Sequence, residues 1–304
     1  MKILYISSNQ RTEQFPWLVD YQNDCLLYGL KELFGDDVVD CNKRYNLYSD
    51  YSDADMASEY GKGFTICRLL DSDKTDRDDI RKKIKNKYFD YVVYGSISRC
   101  QDYLDLVLET YERNKIAFID GEDSPKFSNF LEKEVMYFKR ELVWEQNMEA
   151  ERYFQYVAPI GFAFPGKKIF TSAPKDRKLA YIDPSNPKTY IYNDESSYYS
   201  DYRHSKFAMT KPKAGWDAMR HYEIMGNGCV PIFPGLEHCP RFTMMKFPKA
   251  LLIKVLFFYA NDPKWLDANY EELKSDLMDH FVKFNTTKAM AESFMKDIKG
   301  FQPR

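Results

Sequence analysis

Residues 205–234 read SKFAMTKPKAGWDAMRHYEIMGNGCVPIFP, and this order predicts a strand, a basic loop, a helix, a glycine turn and a second strand. The strands are expected at 206–210 and 230–233, and the helix at 216–227. Two strands joined by a helix pair in parallel, because the helix carries the chain back across the sheet before the second strand begins. The stretch therefore predicts a parallel α/β sheet.

The same alternation extends through most of the chain. In the first half we expect strands at 2–7, 38–39, 88–95 and 116–119, and helices at 21–34, 75–87 and 101–113. In the second half we expect a strand at 179–182, a further strand at 189–192 and a helix at 195–204. Strands that alternate with helices are typical of Rossmann-like domains. The sequence thus predicts an α/β fold with two such domains facing each other across a cleft, residues 1–160 and 161–304.

Two segments depart from the alternation. Residues 132–164 carry a charged stretch that we expect to be helical, and residues 157–166 contain two prolines and two glycines, which favour a hinge between the domains. The C-terminal third is expected to be helical, with helices at 262–280 and 287–299.

Composition excludes several classes of protein. The 304 residues include 44 Lys and Arg against 46 Asp and Glu, and this balance argues against binding of nucleic acid. The longest apolar run, 250–260, is too short to span a membrane, and residues 1–9 do not resemble a signal peptide, so we expect a cytoplasmic protein. The six cysteines form no C-x-x-C pair, which makes a disulfide framework or a structural zinc site improbable.

The helix expected at 216–227 carries the clearest chemical pattern. Trp216, Arg220, Glu223 and Asn227 follow one another at helical spacing, so they share one face. On a helix beside a cleft, the arginine suits a phosphate and the glutamate suits a pair of ribose hydroxyls. The alternative is that Arg220 and Glu223 form an ordinary surface ion pair.

The basic loop before this helix predicts an anion site. Lys211 and Lys213 flank the backbone of residues 214–215, where the unpaired N–H groups of a helix start and the helix dipole favour negative charge. His221, next to Arg220, would contact a phosphate or a sugar; the alternative is a buried, hydrogen-bonded imidazole.

The run 215–233, GWDAMRHYEIMGNGCVPIF, resembles the nucleotide-sugar-binding segment of GT-B glycosyltransferases. In that family a helix with the pattern E-A-x-A-x-G runs into G-x-x-P-V, and exostosin-like and spore-protein-type members show an Arg-x-x-Glu variant. The resemblance covers about thirty residues and implies that Glu223 receives the donor ribose, with Gly228 and Pro231 in the turn and strand that follow. Gly215 stands where many retaining members carry the first glutamate of E-x7-E, so the stereochemical outcome stays open.

The resemblance also implies a reaction. A sugar would pass from a nucleoside diphosphate sugar to a hydroxyl of a glycan or another acceptor, without a metal or a further cofactor. Gly215, His221 and Glu223 would bind the donor, together with the available cations, which are Lys206, Lys211, Lys213 and Arg220. In this family the last helix commonly crosses back onto the N-terminal domain.

For the base that accepts the proton of the acceptor hydroxyl, we expect the loop at 120–125. It follows a strand at the carboxyl edge of the first sheet, where parallel sheets bind ligands. Asp120 is the first candidate, and Glu122 and Asp123 are the next. The alternative is that this loop is a solvated turn with a helix cap.

Two other functions fit the same scaffold. An epimerase acting on a nucleotide sugar would use carboxylates from both domains and no acceptor. The second is a non-catalytic protein that binds a nucleotide or a sugar, and the absence of the first glutamate, where this chain has Gly215, favours it.

Overall fold

The computed structural model describes residues 1–71 and 73–302 as a mixed α/β structure. The strands are β1 (Ile3–Ile6), β2 (Val38–Asp40), β3 (Tyr91–Tyr94), β4 (Ile116–Asp120), β5 (Met136–Lys139), β6 (Val157–Pro159), β7 (Arg177–Leu179), β8 (Ser205–Met209) and β9 (Val230–Ile232). The helices are α1 (Tyr21–Phe34), α2 (Asp53–Ser58), α3 (Ile80–Lys85), α4 (Leu104–Thr110), α5 (Glu195–Arg203), α6 (Met219–Gly226), α7 (Lys249–Asn261), α8 (Pro263–Ala268), α9 (Tyr270–Phe284) and α10 (Thr287–Gly300).

The larger sheet has six parallel strands in the order β2-β1-β3-β4-β5-β6. Its central strands read ILYI, YVVY and IAFID and are almost wholly buried. Such continuous apolar runs are typical of strands covered by helices on both faces, because neither face can be polar. The parallel α/β class predicted from the sequence is therefore confirmed for this sheet.

The smaller sheet has three parallel strands in the order β7-β8-β9, with α5 and α6 as the connections between them. Residues 205–234 form β8, α6 and β9, as predicted, although α6 begins at residue 219 rather than 216. The division into two domains at residues 160 and 161 stays a prediction.

The middle of the chain corrects the sequence analysis. The charged stretch expected to be helical contains β5 and, later, β6, which extend the larger sheet, with short helical turns between them. The charged residues suggested the surface of a helix. Lys139, Arg140 and Glu141 are instead buried at the end of β5, where their side chains form hydrogen bonds. Residues 189–192 form no strand, and α7 was not predicted.

Two helices at opposite ends of the chain pack closely. Helix α1 begins where Asp20 accepts a hydrogen bond from the backbone N–H of Asn23, and it ends at Gly35, which has a φ of 55°. Helix α10 lies against it, and a Cβ atom on Gly29 would be 2.1 Å from the carbonyl oxygen of Thr287. Only glycine allows this approach, so the last helix covers the first one.

In the ranges 1–71 and 73–302, none of the helices combines the length and the apolar character needed to cross a bilayer.

Candidate functional site

One cavity of about 500 Å³ has walls from residues in both halves of the chain. Its walls come mainly from segments that follow strands, and carboxyl ends of parallel strands are where α/β proteins bind ligands. These segments are 14–21 after β1, 60–64 after β2, residue 99 after β3, 121–123 after β4, residue 140 after β5, residue 162 after β6, 182–198 after β7 and 213–223 after β8.

Helix α6 presents two charged side chains to this cavity. Arg220 and Glu223 both line it, and each is only 5% exposed. Within the described residues, Nη1 of Arg220 has no hydrogen-bond partner, and the guanidinium carbon lies 5.7 Å from the ring centre of Tyr190. A buried cation with an unmade hydrogen bond on a cavity wall is suited to an anionic ligand.

The carboxylate of Glu223 is bound by two hydroxyl groups. Thr65 donates to Oε1, and the phenol of Tyr198 donates to Oε2 at 2.7 Å. Burial raises the pKa of Glu223, while these two hydrogen bonds oppose the shift. Each oxygen can accept a further hydrogen bond, so a ligand with two neighbouring hydroxyls can still bind here.

The predicted anion site at 211–215 already holds a carboxylate of the chain. Glu141 accepts hydrogen bonds from the backbone N–H groups of Trp216 at 3.1 Å and Asp217 at 3.0 Å. A Cβ on Gly215 would lie 2.5 Å from Oε1 of Glu141, so the glycine makes room for this carboxylate. The amides of Trp216 and Asp217 are therefore not available to a phosphate, and a role of Gly215 in donor binding stays a prediction.

The predicted cations separate into two groups. Lys213 lines the cavity, and its Nζ lies 3.1 Å from the phenol oxygen of Tyr60. Lys206 lies outside the wall, with its Nζ 5.2 Å from the ring centre of Tyr270, and Lys211 is exposed and also outside it. Only Lys213 and Arg220, of the four, reach the cavity.

His221 is a core residue that faces away from the cavity. Its Nε2 donates to the carbonyl oxygen of Trp216 at 2.9 Å, and its Nδ1 accepts from the hydroxyl of Thr210 at 2.7 Å. The ring packs on Phe233, with 4.6 Å between centroids. Burial lowers the pKa of His221 to about 3, so the imidazole is neutral. The prediction that it contacts the donor has no support in this arrangement.

The burial of His221 predicts a pH dependence of stability. Its folded pKa of about 3 lies below the unfolded value, so the unfolded state binds the proton first as the pH falls below about 6.5. Stability from this group is complete above pH 6.5 and is lost towards pH 3. In urea unfolding between pH 7 and pH 5, His221→Gln should show a shallower pH slope than wild type, by up to about 1.4 kcal/mol per pH unit.

The matched control is His238→Gln, because the His238 side chain is 77% exposed. Its pH slope should equal that of wild type. Equal slopes for wild type and His221→Gln would show that His221 does not resist protonation.

The three acidic candidates also occupy different places. Asp120 is buried beneath the cavity wall, where Lys139 donates to it at 2.9 Å and Tyr137 donates to its other oxygen. Glu122 lines the cavity and accepts from Ser98 at 2.8 Å, and Asp123 lines it beside Arg140. Asp120 thus holds the end of the sheet together, whereas Glu122 and Asp123 reach the ligand space.

Sequence reasoning missed Arg140 and Asp217. The guanidinium of Arg140 donates to Glu141 at 3.0 Å and to the carbonyl oxygens of Gly121 and Asp217, each at 2.9 Å. Asp217 accepts from the N–H of Phe162 at 2.7 Å, and burial raises its pKa to about 6. Both line the cavity. Recognising β5 as a strand would have placed Arg140 at a sheet edge.

Aromatic rings supply much of the remaining wall. Trp17 and Tyr60 pack together with 5.2 Å between their centroids, and the guanidinium of Arg99 lies 4.2 Å from the ring centre of Phe15. Tyr190 and Tyr192 also line the cavity. Such surfaces can stack on a nucleobase or on the apolar face of a sugar.

Within 1–71 and 73–302, no group of three or more His, Cys, Asp or Glu residues is arranged to hold a metal ion.

No family model and no curated protein matches this chain. A solved structure described as the crystal structure of the GtfA/B complex is similar to it at 10% sequence identity, with a TM-score of 0.39. The similarity covers 72% of this chain and 59% of that one, so the chain spans less than two thirds of that protein's length.

Proposed function

We propose that the protein is a glycosyltransferase that moves a sugar from a nucleoside diphosphate sugar to a hydroxyl acceptor. One observation carries the proposal: Arg220 and Glu223 are buried on the same cavity wall, and Arg220 has an unmade hydrogen bond. A guanidinium binds phosphate oxygens, and a carboxylate binds neighbouring ribose hydroxyls. A nucleoside diphosphate contains both groups.

The remainder of the cavity is compatible with such a ligand. Its volume of about 500 Å³ falls in the range of small-molecule sites. Lys213 adds a second cation for the diphosphate, and the rings of Tyr190 and Tyr192 offer stacking surfaces for the base. In this proposal the charge of the leaving diphosphate is met by side chains, without a metal ion.

The acceptor hydroxyl requires a base if the reaction inverts the sugar. Of the three acidic residues predicted from the sequence as the base, Glu122 and Asp123 line the cavity. Asp120 is the less suitable one, since Lys139 and Tyr137 already bond its two oxygens.

The proposal includes a GT-B-like division of labour. Residues 1–160 would bind the acceptor, because they contribute the walls at 14–21 and 121–123. Residues 161–304 would bind the donor through α6 and the segment after β7. Of the hinge expected at 157–166, residues 157–159 form β6, and the remainder, 160–166, would let the two parts close on the ligands.

The test is a panel of nucleotide sugars offered to the purified protein with and without glycan acceptors. We expect binding of at least one nucleotide sugar, followed by release of its nucleoside diphosphate that acceptor accelerates. Calorimetry measures the binding, and chromatography of the nucleotides measures the release.

The other outcomes identify the competing functions. A nucleotide sugar returned with altered sugar stereochemistry would indicate an epimerase, and tight binding without turnover would indicate a non-catalytic binder. If no nucleotide sugar binds, the proposal is wrong.

A further inference from the structure

The segment 60–65, which lines the cavity and contacts Glu223, has an unusual backbone. Gly61, Lys62, Gly63 and Thr65 all have positive φ angles, and that of Thr65 is 74°. A β-branched residue rarely adopts this left-handed conformation, because its Cβ substituents crowd the backbone. Residues kept in such conformations cluster at functional sites, where the surroundings hold them in place.

The surroundings of Thr65 do hold it. The residue is 0% exposed, and its backbone N–H donates to Oε2 of Glu195 at 2.6 Å. Glu195 is itself paired with Lys168 at 2.7 Å. Nearby, Nζ of Lys62 donates to the carbonyl oxygen of Tyr192 at 3.0 Å. These bonds attach the segment to α5 and to the loop before it.

The side chain of Thr65 belongs to a chain of hydroxyl groups that ends on Glu223. Its hydroxyl donates to Oε1 of Glu223, so the phenol of Tyr199, 2.6 Å away, donates in turn to Oγ1 of Thr65. On the other side, Tyr202 donates to Tyr198 at 3.2 Å, and Tyr198 donates to Oε2 of Glu223.

The orientation of the Glu223 carboxylate therefore depends on hydroxyl groups. Both of its hydrogen-bond donors in the described part of the chain are neutral. With one of them removed, the carboxylate can turn about its last side-chain bond, since that torsion is soft.

We propose that Thr65 is a positioning residue, which holds the carboxylate of Glu223 in the orientation that receives the two ribose hydroxyls of the nucleotide. This inference rests on the proposed function and adds a specificity to it. The protein selects ribonucleotides over 2′-deoxyribonucleotides, and Thr65 maintains that selection although it lies outside the helix that carries Glu223.

The experiment measures the ratio of two affinities. The probe is whichever of UDP, GDP, ADP and CDP binds most tightly, and its partner is the 2′-deoxy form of the same diphosphate. For wild type, the ribose form should bind about 10- to 150-fold more tightly, as expected for hydrogen bonds to a charged group. In Thr65→Val, which keeps the branched shape and the backbone N–H, the ratio should fall towards one.

Two further variants make the result specific. Thr65→Ser restores the hydroxyl and should restore the ratio. Thr243→Val removes a buried hydroxyl that donates to the carbonyl oxygen of Leu142 outside the cavity, and it should leave the ratio at the wild-type value. If Thr65→Val does not fold, Thr65→Ala, which also lacks the hydroxyl but is not β-branched, replaces it and should also lower the ratio.

The possible results distinguish a failure of the proposed function from a failure of the role of Thr65. If none of the four diphosphates binds wild type, the proposed function fails and the inference falls with it. If wild type binds but does not discriminate, or if Thr65→Val, or Thr65→Ala in its place, discriminates as wild type does, the inference is wrong and the proposed function stands.

Discussion

Glu141→Ala is expected to lower the free energy of unfolding by about 3–5 kcal/mol, the cost of breaking a buried ion pair by removing one partner. Three donors lose a hydrogen bond at once: the backbone N–H groups of Trp216 and Asp217, and the guanidinium of Arg140, which keeps its bonds to two carbonyl oxygens. Arg140 is only 2% exposed, so water cannot replace the lost carboxylate. Urea unfolding followed by circular dichroism measures the change.

Glu145→Ala is the matched control, because Glu145 is exposed only four positions along the chain. It should change the free energy of unfolding by no more than about 0.5 kcal/mol. A loss below about 1 kcal/mol in Glu141→Ala would show that other contacts hold the loop at 213–217.

Arg220→Ala is expected to weaken nucleoside diphosphate binding by about 10- to 150-fold, which corresponds to about 1.5–3 kcal/mol for hydrogen bonds to a charged group. The affinity for the bare nucleoside should change much less, since a nucleoside has no phosphate for the guanidinium to bind. Calorimetry with both ligands measures the two losses. Arg220→Lys should give an intermediate loss, because a lysine keeps the charge but not the two-pronged geometry.

Stability gives an independent check on Arg220. Because Arg220 is buried, replacement by alanine removes packing and should lower the free energy of unfolding by about 0.5–3 kcal/mol, although it breaks no hydrogen bond of Nη1, which has no partner in the described residues. Arg241→Ala is the matched control, since Arg241 is exposed and outside the cavity. Equal losses of nucleoside and diphosphate affinity in Arg220→Ala would indicate a structural role instead.

The parts of the fold that could be predicted are those whose signals lie in neighbouring residues of the sequence. Helix α1 occupies the predicted residues 21–34, because an apolar repeat lies within them and a capping aspartate, Asp20, and a terminating glycine, Gly35, flank them directly. Strand β5 was missed since its charged end is buried, and burial depends on partners far away in sequence. Lys139, for instance, bonds to Asp120 on the neighbouring strand.

In the candidate site, too, contacts between distant segments could not be predicted from the sequence. Arg220 and Glu223 were found because three residues along a helix bring two side chains to one face. His221, adjacent to Arg220, points about 100° away around the helix and enters the core. Thr65 and Glu141 contact residues of the site from segments distant in sequence. The positive φ of Thr65 could not be predicted from its residue type, because threonine rarely adopts it.

The packing of α10 on α1 also has a consequence for the order in which the protein is made. The hydroxyl of Thr287 at the start of α10 donates to Glu32 in α1, which is 255 residues earlier in the chain. At about 5–20 residues per second, a ribosome needs on the order of 10 to 50 s to synthesise that interval. During this time the surface of α1 around Gly29 has no covering helix. A nascent chain is therefore exposed to chaperones at this surface until α10 emerges from the ribosome.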